Sequence, residues 1–260
     1  MFCTLLGLRI DINADVGESF GAYAIGHDSG LMTSITSANV AAGFHAGDPS
    51  VLRATIRRAR LHGVAVGAHP SFPDLVGFGR REMHFTPHEA EDLVLYQIAA
   101  VAGVAHAEGV PLQHVKPHGA LYNMAAHDAA LAGAIARAVA AYSRSLILFG
   151  LPGSELLNAG RALGLRVAAE VFADRAFEPN GSLVARKTHG AVIHDADVVV
   201  ARAVRMVKEG TVAAIDGTVL HLGAETICVH SDTPGADELA AKLRAALQTE
   251  GVAVKAIGLA

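Results

Sequence analysis

The chain has 260 residues, of which 52% are hydrophobic and 18% are charged, and its formal net charge is −4 at pH 7. This composition excludes a disordered chain, because it supplies enough apolar side chains for a substantial core. The charge argues against nucleic-acid binding, which normally requires a basic surface. The length suits one large α/β domain or two small ones.

Neither a membrane span nor a signal peptide is predicted. The longest largely apolar run, residues 93–107, contains Gln97 and His106 and is shorter than the roughly 18 apolar residues that a span requires. The N-terminus lacks a basic region followed by a small-residue cleavage site. Cys3 and Cys228 do not make a disulfide framework, so we expect buried thiols in a cytoplasmic protein.

Strand and helix signals alternate along the chain. Five helix-like segments end in Gly before a β-branched run. Asp48, Thr86 and Thr233 each precede a Pro and are predicted helix N-caps, and Glu89 completes a capping box with Thr86. In chain order, the predicted elements are strands 8–13 and 37–42, helix 49–62, strand 64–69, helix 88–108, strand 112–116, helix 128–142, strand 146–150, helix 154–163, strand 166–171, helix 195–209, strand 226–230 and helix 235–249.

This alternation of strands and helices predicts a parallel sheet. An Asp-Gly turn between apolar runs predicts an additional β-hairpin at about 211–222. No linker divides the chain, so we predict one domain over residues 1–260. The predicted fold is α/β, an irregular (β/α) barrel with about seven parallel strands. A doubly wound open sheet is the alternative, because the sequence does not show whether the sheet closes.

Polar side chains collect at the carboxyl ends of the predicted strands, where a barrel carries its active site. Residues two apart in a strand share a face. Asp11, Asn13 and Asp15 therefore share one face of the first strand, and Lys116 shares a face with His118. Six of the seven predicted strands end in ionisable residues, and burying that many charges without a function would cost too much stability. The pattern predicts a catalytic cleft.

Several familiar catalytic motifs are missing from the sequence. It has no P-loop, G-x-S-x-G elbow, H-E-x-x-H or C-x-x-C zinc pattern, and GFGRRE at 77–82 is an incomplete G-x-G-x-x-G. Taken singly, the polar residues also have structural explanations. His45 or His69 suits a hydrogen-bonded core position, Asp48 suits a helix cap and Tyr122 suits packing. Their coincidence at strand ends is what indicates a cleft.

Eight segments in order along the chain carry a family signature. They are DINADVGE, ANVAAGFHAGDP, GAHPSFPD, HVKPHGALYN, GLPGSELL, EVFADR, GSLVAR and CVHSD. Together they resemble the LamB/YcsF family from about Arg9 to the C-terminal helix. Ala42 stands where the family often has Cys, so a thiol nucleophile at this position is not part of the chemistry. Ser19 and Ser231 stand where Gly is usual, and neither change removes a charged group.

The resemblance implies both a fold and an activity. The implied fold is a seven-stranded barrel related to metal-dependent polysaccharide deacetylases. The implied activity is ATP-dependent 5-oxoprolinase, which converts 5-oxo-L-proline, water and ATP to L-glutamate, ADP and phosphate. In such an enzyme this chain would be the A subunit, working with two further subunits, B and C. ATP is the expected cofactor, and neither nucleic acid nor a membrane is an expected partner.

The cleft and the resemblance together give a set of expected site residues. The expected catalytic residues are Asp15, His45, His69, Lys116, His118 and His230. The expected substrate-binding residues are Asn13, Glu18, Tyr122, Glu170, Asp174, Arg175, Arg186 and Asp232. Among them, Lys116, Arg175 and Arg186 would hold carboxylate and phosphoryl oxygens. Asp15, His45 or His69 would activate water, and His118 or His230 would protonate the leaving nitrogen.

A divalent metal, Mg²⁺ or similar, could enter in two ways. It could arrive with ATP, held mainly by phosphates. Alternatively, Asp15, His45 and His69 could hold it, as an Asp and two His do in the related deacetylases; a metal-free hydrogen-bonded cluster is equally open. Two rival functions also remain at this point. One is a metal-dependent amide hydrolase or deacetylase acting without ATP, and the other is a non-catalytic protein that only binds substrate for its partners.

Overall fold

The computed structural model of the chain describes residues 7–230 and 235–258. The strands are β1 (Arg9–Val16), β2 (Ser37–Ala41), β3 (Ala65–His69), β4 (Leu112–Val115), β5 (Ile147–Gly150), β6 (Arg166–Phe172), β7 (Thr211–Ala213), β8 (Val219–His221), β9 (Thr226–His230) and β10 (Ala253–Val254). The helices are α1 (Asp28–Leu31), α2 (Pro49–His62), α3 (Pro87–Ala107), α4 (Gly119–Ala125), α5 (Ala129–Tyr142), α6 (Glu155–Ala162), α7 (Ala196–Glu209) and α8 (Ala236–Thr249).

Parallel strands close into a barrel in the order β1-β2-β3-β4-β5-β6-β9, and β9 returns to pair with β1. This closure confirms the predicted seven-stranded barrel and removes the open-sheet alternative. β10 adds to the amino-terminal end of β1, where Arg9 is paired with Ala253. β7 and β8 form the predicted antiparallel hairpin outside the barrel. Within the described residues, no helix has both the length and the apolar character needed to cross a bilayer.

The helix-ending and helix-starting signals are confirmed. The five predicted helix-closing glycines all have left-handed φ angles between 65° and 77°, and they are Gly63, Gly109, Gly164, Gly210 and Gly251. Thr86 and Glu89 make a reciprocal capping box, and Asp48 caps α2. Thr233 lies outside the described residues. Because a side chain strains this left-handed backbone, Gly ends each helix sharply and frees the chain to enter the next strand.

Three local expectations were wrong. β1 runs to Val16, so Asp15 lies within the strand rather than just past it. β4 ends at Val115, one residue before Lys116, although the Lys116 amide still donates to the Ala68 carbonyl of β3. Tyr122 lies on the short helix α4 and is buried, in a stretch where neither a helix nor a strand was predicted. α4 was missed because its seven residues are too few for a periodic pattern.

Side chains alternate along each strand, and this alternation determines which of them point into the barrel. On β1, Ile10, Ile12 and Ala14 belong to the apolar core, whereas the alternating polar residues hydrogen-bond across the interior. Close packing in this interior depends on Gly67 of β3, because a Cβ there would overlap the ring of His114 on β4. The barrel therefore has an apolar outer layer and a polar interior.

Candidate functional site

The lowest interior layer is built around a buried carboxyl group. Asp11 accepts hydrogen bonds from Thr36 Oγ1 at 2.6 Å and Ser37 Oγ at 2.7 Å. Thr226 Oγ1 donates to its other oxygen at 2.5 Å. Burial raises the pKa of Asp11 to about 6, although these hydroxyl groups act in the opposite direction. This layer joins β1 to β9 and to the start of β2, at the end of the barrel away from the strand carboxyl ends.

Side-chain amides form the next layer. Asn13 Nδ2 donates to Glu170 Oε1 at 2.9 Å. Asn39 Nδ2 donates to Asn13 Oδ1 at 2.7 Å and to Asp15 Oδ1 at 2.9 Å. His114 Nε2 lies 2.8 Å from Asn39 Oδ1, and burial lowers the pKa of His114 to about 3. These hydrogen bonds fix the orientation of the two carboxylates above them.

A buried lysine occupies the centre of the upper layer. Lys116 Nζ donates to Asp15 Oδ1 at 2.6 Å and to Cys228 Sγ at 3.0 Å. Glu170 Oε1 lies 3.4 Å from the same Nζ. Burial alone would lower the pKa of Lys116, but its anionic neighbours, led by Asp15, raise it well above its usual value. Burial would raise the pKa of Asp15, but His69 and Lys116 hold it well below its usual range. Both partners are therefore charged.

Three histidines and a glutamate form a second buried group beside this lysine. His45 Nε2 lies 3.2 Å from Glu18 Oε1, and His118 Nδ1 lies 3.6 Å from the same oxygen. His118 Nδ1 is also 2.9 Å from His69 Nε2, and the His118 ring stacks on His45 at 3.9 Å. Burial lowers the pKa of His45 to about 3. Burial, reinforced by the two neighbouring histidines, holds the pKa of His118 well below its usual range.

The loop after β3 holds this histidine group in place. His118 Nε2 lies 2.9 Å from the carbonyl oxygen of Phe78. Among the described residues, Phe78 is the one non-glycine residue with a left-handed backbone, at φ 55°. At Gly79, which follows, a Cβ would overlap Ser71 Oγ and lie 2.8 Å from His45 Cβ. A strained residue kept beside a close-packed glycine is typical of a functional constraint.

A cavity of about 280 Å³ opens at the carboxyl ends of the strands. Its polar lining includes Asp15, His69, Arg80, Lys116, His118, Tyr122, Arg175, Arg186 and His230. Its volume lies at the lower end of the usual range for ligand pockets, which indicates a small ligand. On its wall, His230 Nδ1 lies 3.0 Å from Asp174 Oδ2. Burial would raise the pKa of Asp174, but His230, Arg175 and Arg186 together lower it.

The rim of this cavity is cationic. Arg186 and Arg80 are exposed, and the Arg80 guanidinium lies 4.9 Å from the ring centre of Phe78. Arg175 is buried, and it donates through Nε and Nη2 to the carbonyls of Ala191 and Val184. Burial, followed by the nearby Arg186, lowers the pKa of Arg175 to about 10. Arg175 therefore orders the loop that carries Arg186, besides adding positive charge.

Most of the expected site residues come together in this region. The structure places Asn13, Asp15, Lys116 and Glu170 in one hydrogen-bonded network. The expected metal trio does not fall within one group of possible ligands. His45 and His69 group with Glu18 and His118, and Asp15 groups with Cys228 and His230, although Asp15 Oδ2 lies 3.3 Å from His69 Nε2. Asp232 lies outside the described residues.

Sequence reasoning missed several residues of the site. Asn39 and His114 were not considered, although Asn39 stands between two apolar residues of β2 and His114 lies two positions before Lys116. Arg80 was passed over because GFGRRE was considered only as a nucleotide-binding motif. A signal for Arg80 was present in the two glycines that flank Phe78, which indicate a tight loop after a strand that ends in His69.

The family model of the LamB/YcsF family matches residues 10–259. This chain belongs to the LamB/YcsF family. It is 53% identical over 247 residues to the A subunit of 5-oxoprolinase from Bordetella pertussis, covering 95% of this chain and 98% of that protein. It is 55% identical over 248 residues to the A subunit of 5-oxoprolinase from Chloroflexus aggregans, with the same coverage of both chains.

Solved structures support the LamB/YcsF fold. The lactam utilization protein of Thermus thermophilus superposes with a TM-score of 0.91 at 49% identity, covering 96% of this chain and all of that chain. The catalytic domain of a peptidoglycan N-acetylglucosamine deacetylase from Eubacterium rectale superposes with a TM-score of 0.51 at 12% identity, covering 98% of this chain and 92% of that chain. This second similarity concerns the fold alone, and it agrees with the expected deacetylase-like barrel.

Proposed function

We propose that this chain is the A subunit of an ATP-dependent 5-oxoprolinase. The observation that carries the proposal is the 53% identity, over 95% of the chain, to a protein of that name. The cavity agrees with it, because a volume of about 280 Å³ suits a small ligand and a cationic rim suits a carboxylate. The reaction breaks the lactam C–N bond of 5-oxo-L-proline, joins a water oxygen to that carbon and delivers a proton to the nitrogen.

The substrate carboxylate binds at the arginine rim in this proposal. Arg186 is exposed and lines the cavity, so its forked donors can hold a planar carboxylate there. Lys116 was the other expected anchor, but Asp15, Cys228 and Glu170 already surround its ammonium group. We therefore assign Lys116 to positioning, since it fixes the carboxylates on the cavity wall.

Proton transfer to the leaving nitrogen is assigned to His230 rather than His118. Asp174 orients the His230 ring through its contact with Nδ1, and His230 lines the cavity. His118 is a poor proton donor, because burial holds its pKa well below its usual range and its Nε2–H is already donated to the carbonyl oxygen of Phe78. Asp15 is a poor base for water, since its pKa lies well below the usual range. Water activation is therefore assigned to the histidine group, in which His69 lines the cavity.

ATP supplies the driving force in this proposal, by phosphorylating the amide oxygen and so making the lactam carbon electrophilic. The reaction then requires subunits B and C. In this proposal, phosphorylated substrate is exchanged with them at the face of the barrel where the cavity opens. Consumption of ATP, together with the buried free thiol of Cys228, favours the cytoplasm as the location.

One assay tests this proposal. Glutamate formation from 5-oxoproline would be measured with and without ATP, using this chain alone, subunits B and C alone, and all three together. We expect ATP-dependent product only from the complete set. Replacing Arg186 by Ala should raise KM for 5-oxoproline at least tenfold with a smaller change in kcat. Full activity from B and C alone would overturn the proposal.

A second candidate function is hydrolysis of an amide without ATP. The observation that favours it is the buried group of Glu18, His45, His69 and His118, which has the composition of a hydrolytic metal site. Hydrolysis of N-acetylated sugars by this chain alone, abolished by a chelator, would support the second candidate. Absence of such hydrolysis, with ATP-dependent glutamate formation intact, would remove it.

A further inference from the structure

The tautomers of two histidines in the cavity wall are fixed by backbone carbonyl groups. His69 Nδ1 lies 2.6 Å from the carbonyl oxygen of Lys116, and His118 Nε2 lies 2.9 Å from that of Phe78. A carbonyl oxygen only accepts hydrogen bonds, so each of these ring nitrogens carries a proton. In the neutral imidazole the other ring nitrogen then has a lone pair and no proton. Those nitrogens are His69 Nε2 and His118 Nδ1.

These two lone pairs face each other at 2.9 Å in a buried site. Two acceptors make no hydrogen bond, and further acceptors surround them. Asp15 Oδ2 lies 3.3 Å from His69 Nε2, and Glu18 Oε1 lies 3.6 Å from His118 Nδ1. His45 adds a third imidazole, 3.2 Å from Glu18. For the two ring nitrogens to face each other at this distance, either a second proton on His69 or a shared metal ion must lie between them.

We propose that Glu18, His45, His69 and His118 bind a divalent transition-metal ion, with Zn²⁺ as the reference ion. The separations of 2.9, 3.2 and 3.6 Å between neighbouring ligand atoms match one shared ion. Metal–ligand bonds of about 2.0–2.2 Å, at angles of roughly 90–120°, give separations of about 2.9–3.6 Å. The ligand atoms of all four residues lie within 4.8 Å of one another.

The donor types select the kind of metal. Three imidazoles and one carboxylate suit Zn²⁺ or a neighbouring transition metal, whereas Mg²⁺ prefers oxygen ligands and bound water. This donor set therefore argues for a resident transition metal that is separate from any Mg²⁺ arriving with ATP. Burial keeps His45 and His118 in the neutral form that metals bind.

For two of the three histidines, the surrounding shell has the form that metal-binding histidines require. A ligating histidine usually donates its other ring N–H to a carbonyl or a carboxylate, which fixes its tautomer. His69 donates in this way to the carbonyl oxygen of Lys116, and His118 donates to that of Phe78. The left-handed backbone of Phe78 and the close packing at Gly79 hold that second carbonyl in place. The metal proposal thus gives a physical reason for a strained residue that no helix or strand requires.

Metal binding by the full chain, prepared without a histidine tag, tests the proposal independently of its activity. After chelator treatment and dialysis, Zn²⁺ would be titrated by calorimetry and the bound metal counted by elemental analysis. We expect one Zn²⁺ per chain and a higher melting temperature in its presence. His118→Gln and Glu18→Gln should each weaken the affinity at least tenfold. His106→Gln, on the exposed face of α3, is the matched control and should bind like the unmodified chain.

Histidine ¹⁵N spectra provide a second measurement if one variant fails to fold. On adding Zn²⁺, the Nε2 signal of His69 and the Nδ1 signal of His118 should move to metal-bound positions. A proton on both nitrogens of His69, paired with Asp15, is the competing explanation of the short contact. That explanation predicts an imidazolium spectrum and no stoichiometric Zn²⁺ binding, and it would overturn the proposal. Zn²⁺ binding that persists equally in both variants would also overturn it.

Discussion

Lys116 Nζ and Asp15 Oδ1 lie 2.6 Å apart, and both side chains are more than nine-tenths buried inside the barrel. Their pKa values move in opposite directions, well above the usual range for Lys116 and well below it for Asp15. Each charge therefore depends on the other. Glu170, 3.4 Å from the same Nζ, shares the lysine, so removing Lys116 would leave two carboxylates without their cation.

Replacing Lys116 by Met should destabilise the protein strongly. Breaking a buried ion pair by removing one partner costs about 3–5 kcal/mol, because the remaining charge stays buried without compensation. Urea denaturation at pH 7 would measure the loss in free energy of unfolding, and the activity of the complete enzyme should fall with it. Lys208→Met is the matched control, because the Lys208–Glu250 pair is exposed and should contribute less than about 1 kcal/mol. Equal effects of the two substitutions would contradict a central role for Lys116.

Asp11 should make stability fall as pH rises through the acidic range. Its pKa is about 6 in the folded protein and 3.8 as the reference value, so the folded state holds a proton that the unfolded state releases. This contribution is complete below about pH 4 and is lost as pH approaches and passes 6. Asp11→Asn removes the titration. Between pH 4 and pH 7, the free energy of unfolding of the unmodified protein should fall, relative to that of the variant, by on the order of 3 kcal/mol.

His114 should act in the opposite direction. Its pKa falls from 6.5 to about 3 on folding, so the unfolded chain binds a proton in this interval and the folded chain does not. The stability it contributes is complete above about pH 6.5 and is lost as pH falls toward 3. His114→Gln should therefore flatten the loss of stability between pH 6 and pH 4. Urea denaturation across this range measures the stability of both variants. The two substitutions should change the pH slope of stability in opposite directions, and changes of the same sign would refute this pair of assignments.

Gly79→Ala should disturb the histidine group as well as the fold. An L residue at φ 63° costs about 1–2 kcal/mol. A Cβ at this position would also press on Ser71 and His45, and overpacking adds about 1–3 kcal/mol. Gly181→Ala is the matched control, because φ is 85° there and nothing lies within 4 Å of the added Cβ. Thermal denaturation should show the larger loss for Gly79→Ala, and only that variant should also lose activity.

Asp174→Asn should lower kcat much more than it changes KM. The carboxylate at 3.0 Å orients His230, and proton transfer by a positioned side chain is worth about 10²–10⁴-fold. The pH profile of kcat should shift as well, which a purely structural loss would not produce. Asp216→Asn, in the exposed hairpin turn, is the control and should leave kcat unchanged. An unaltered kcat in Asp174→Asn would remove His230 from its proposed role.

Local signals in the sequence were sufficient for the architecture. The glycines that close helices, such as Gly63, and the caps, such as Thr86, depend on backbone geometry within one turn, and the structure reproduces them. α4 escaped detection because seven residues span too few turns to show a period. Asp15 was placed outside its strand because neighbouring strands, rather than local propensity, extend β1 to Val16.

For the site, the sequence by itself determined which faces of the strands are polar, since side chains alternate across a strand. It thereby selected Asp15, His69 and Lys116 before any distance was known. Only the tertiary structure decided which polar groups meet, because those contacts join loops that follow different strands. The carbonyl of Phe78 fixes the tautomer of His118, and no periodicity connects these two residues. Closure of the barrel brings them within hydrogen-bonding distance, and that proximity gives the histidine group its chemistry.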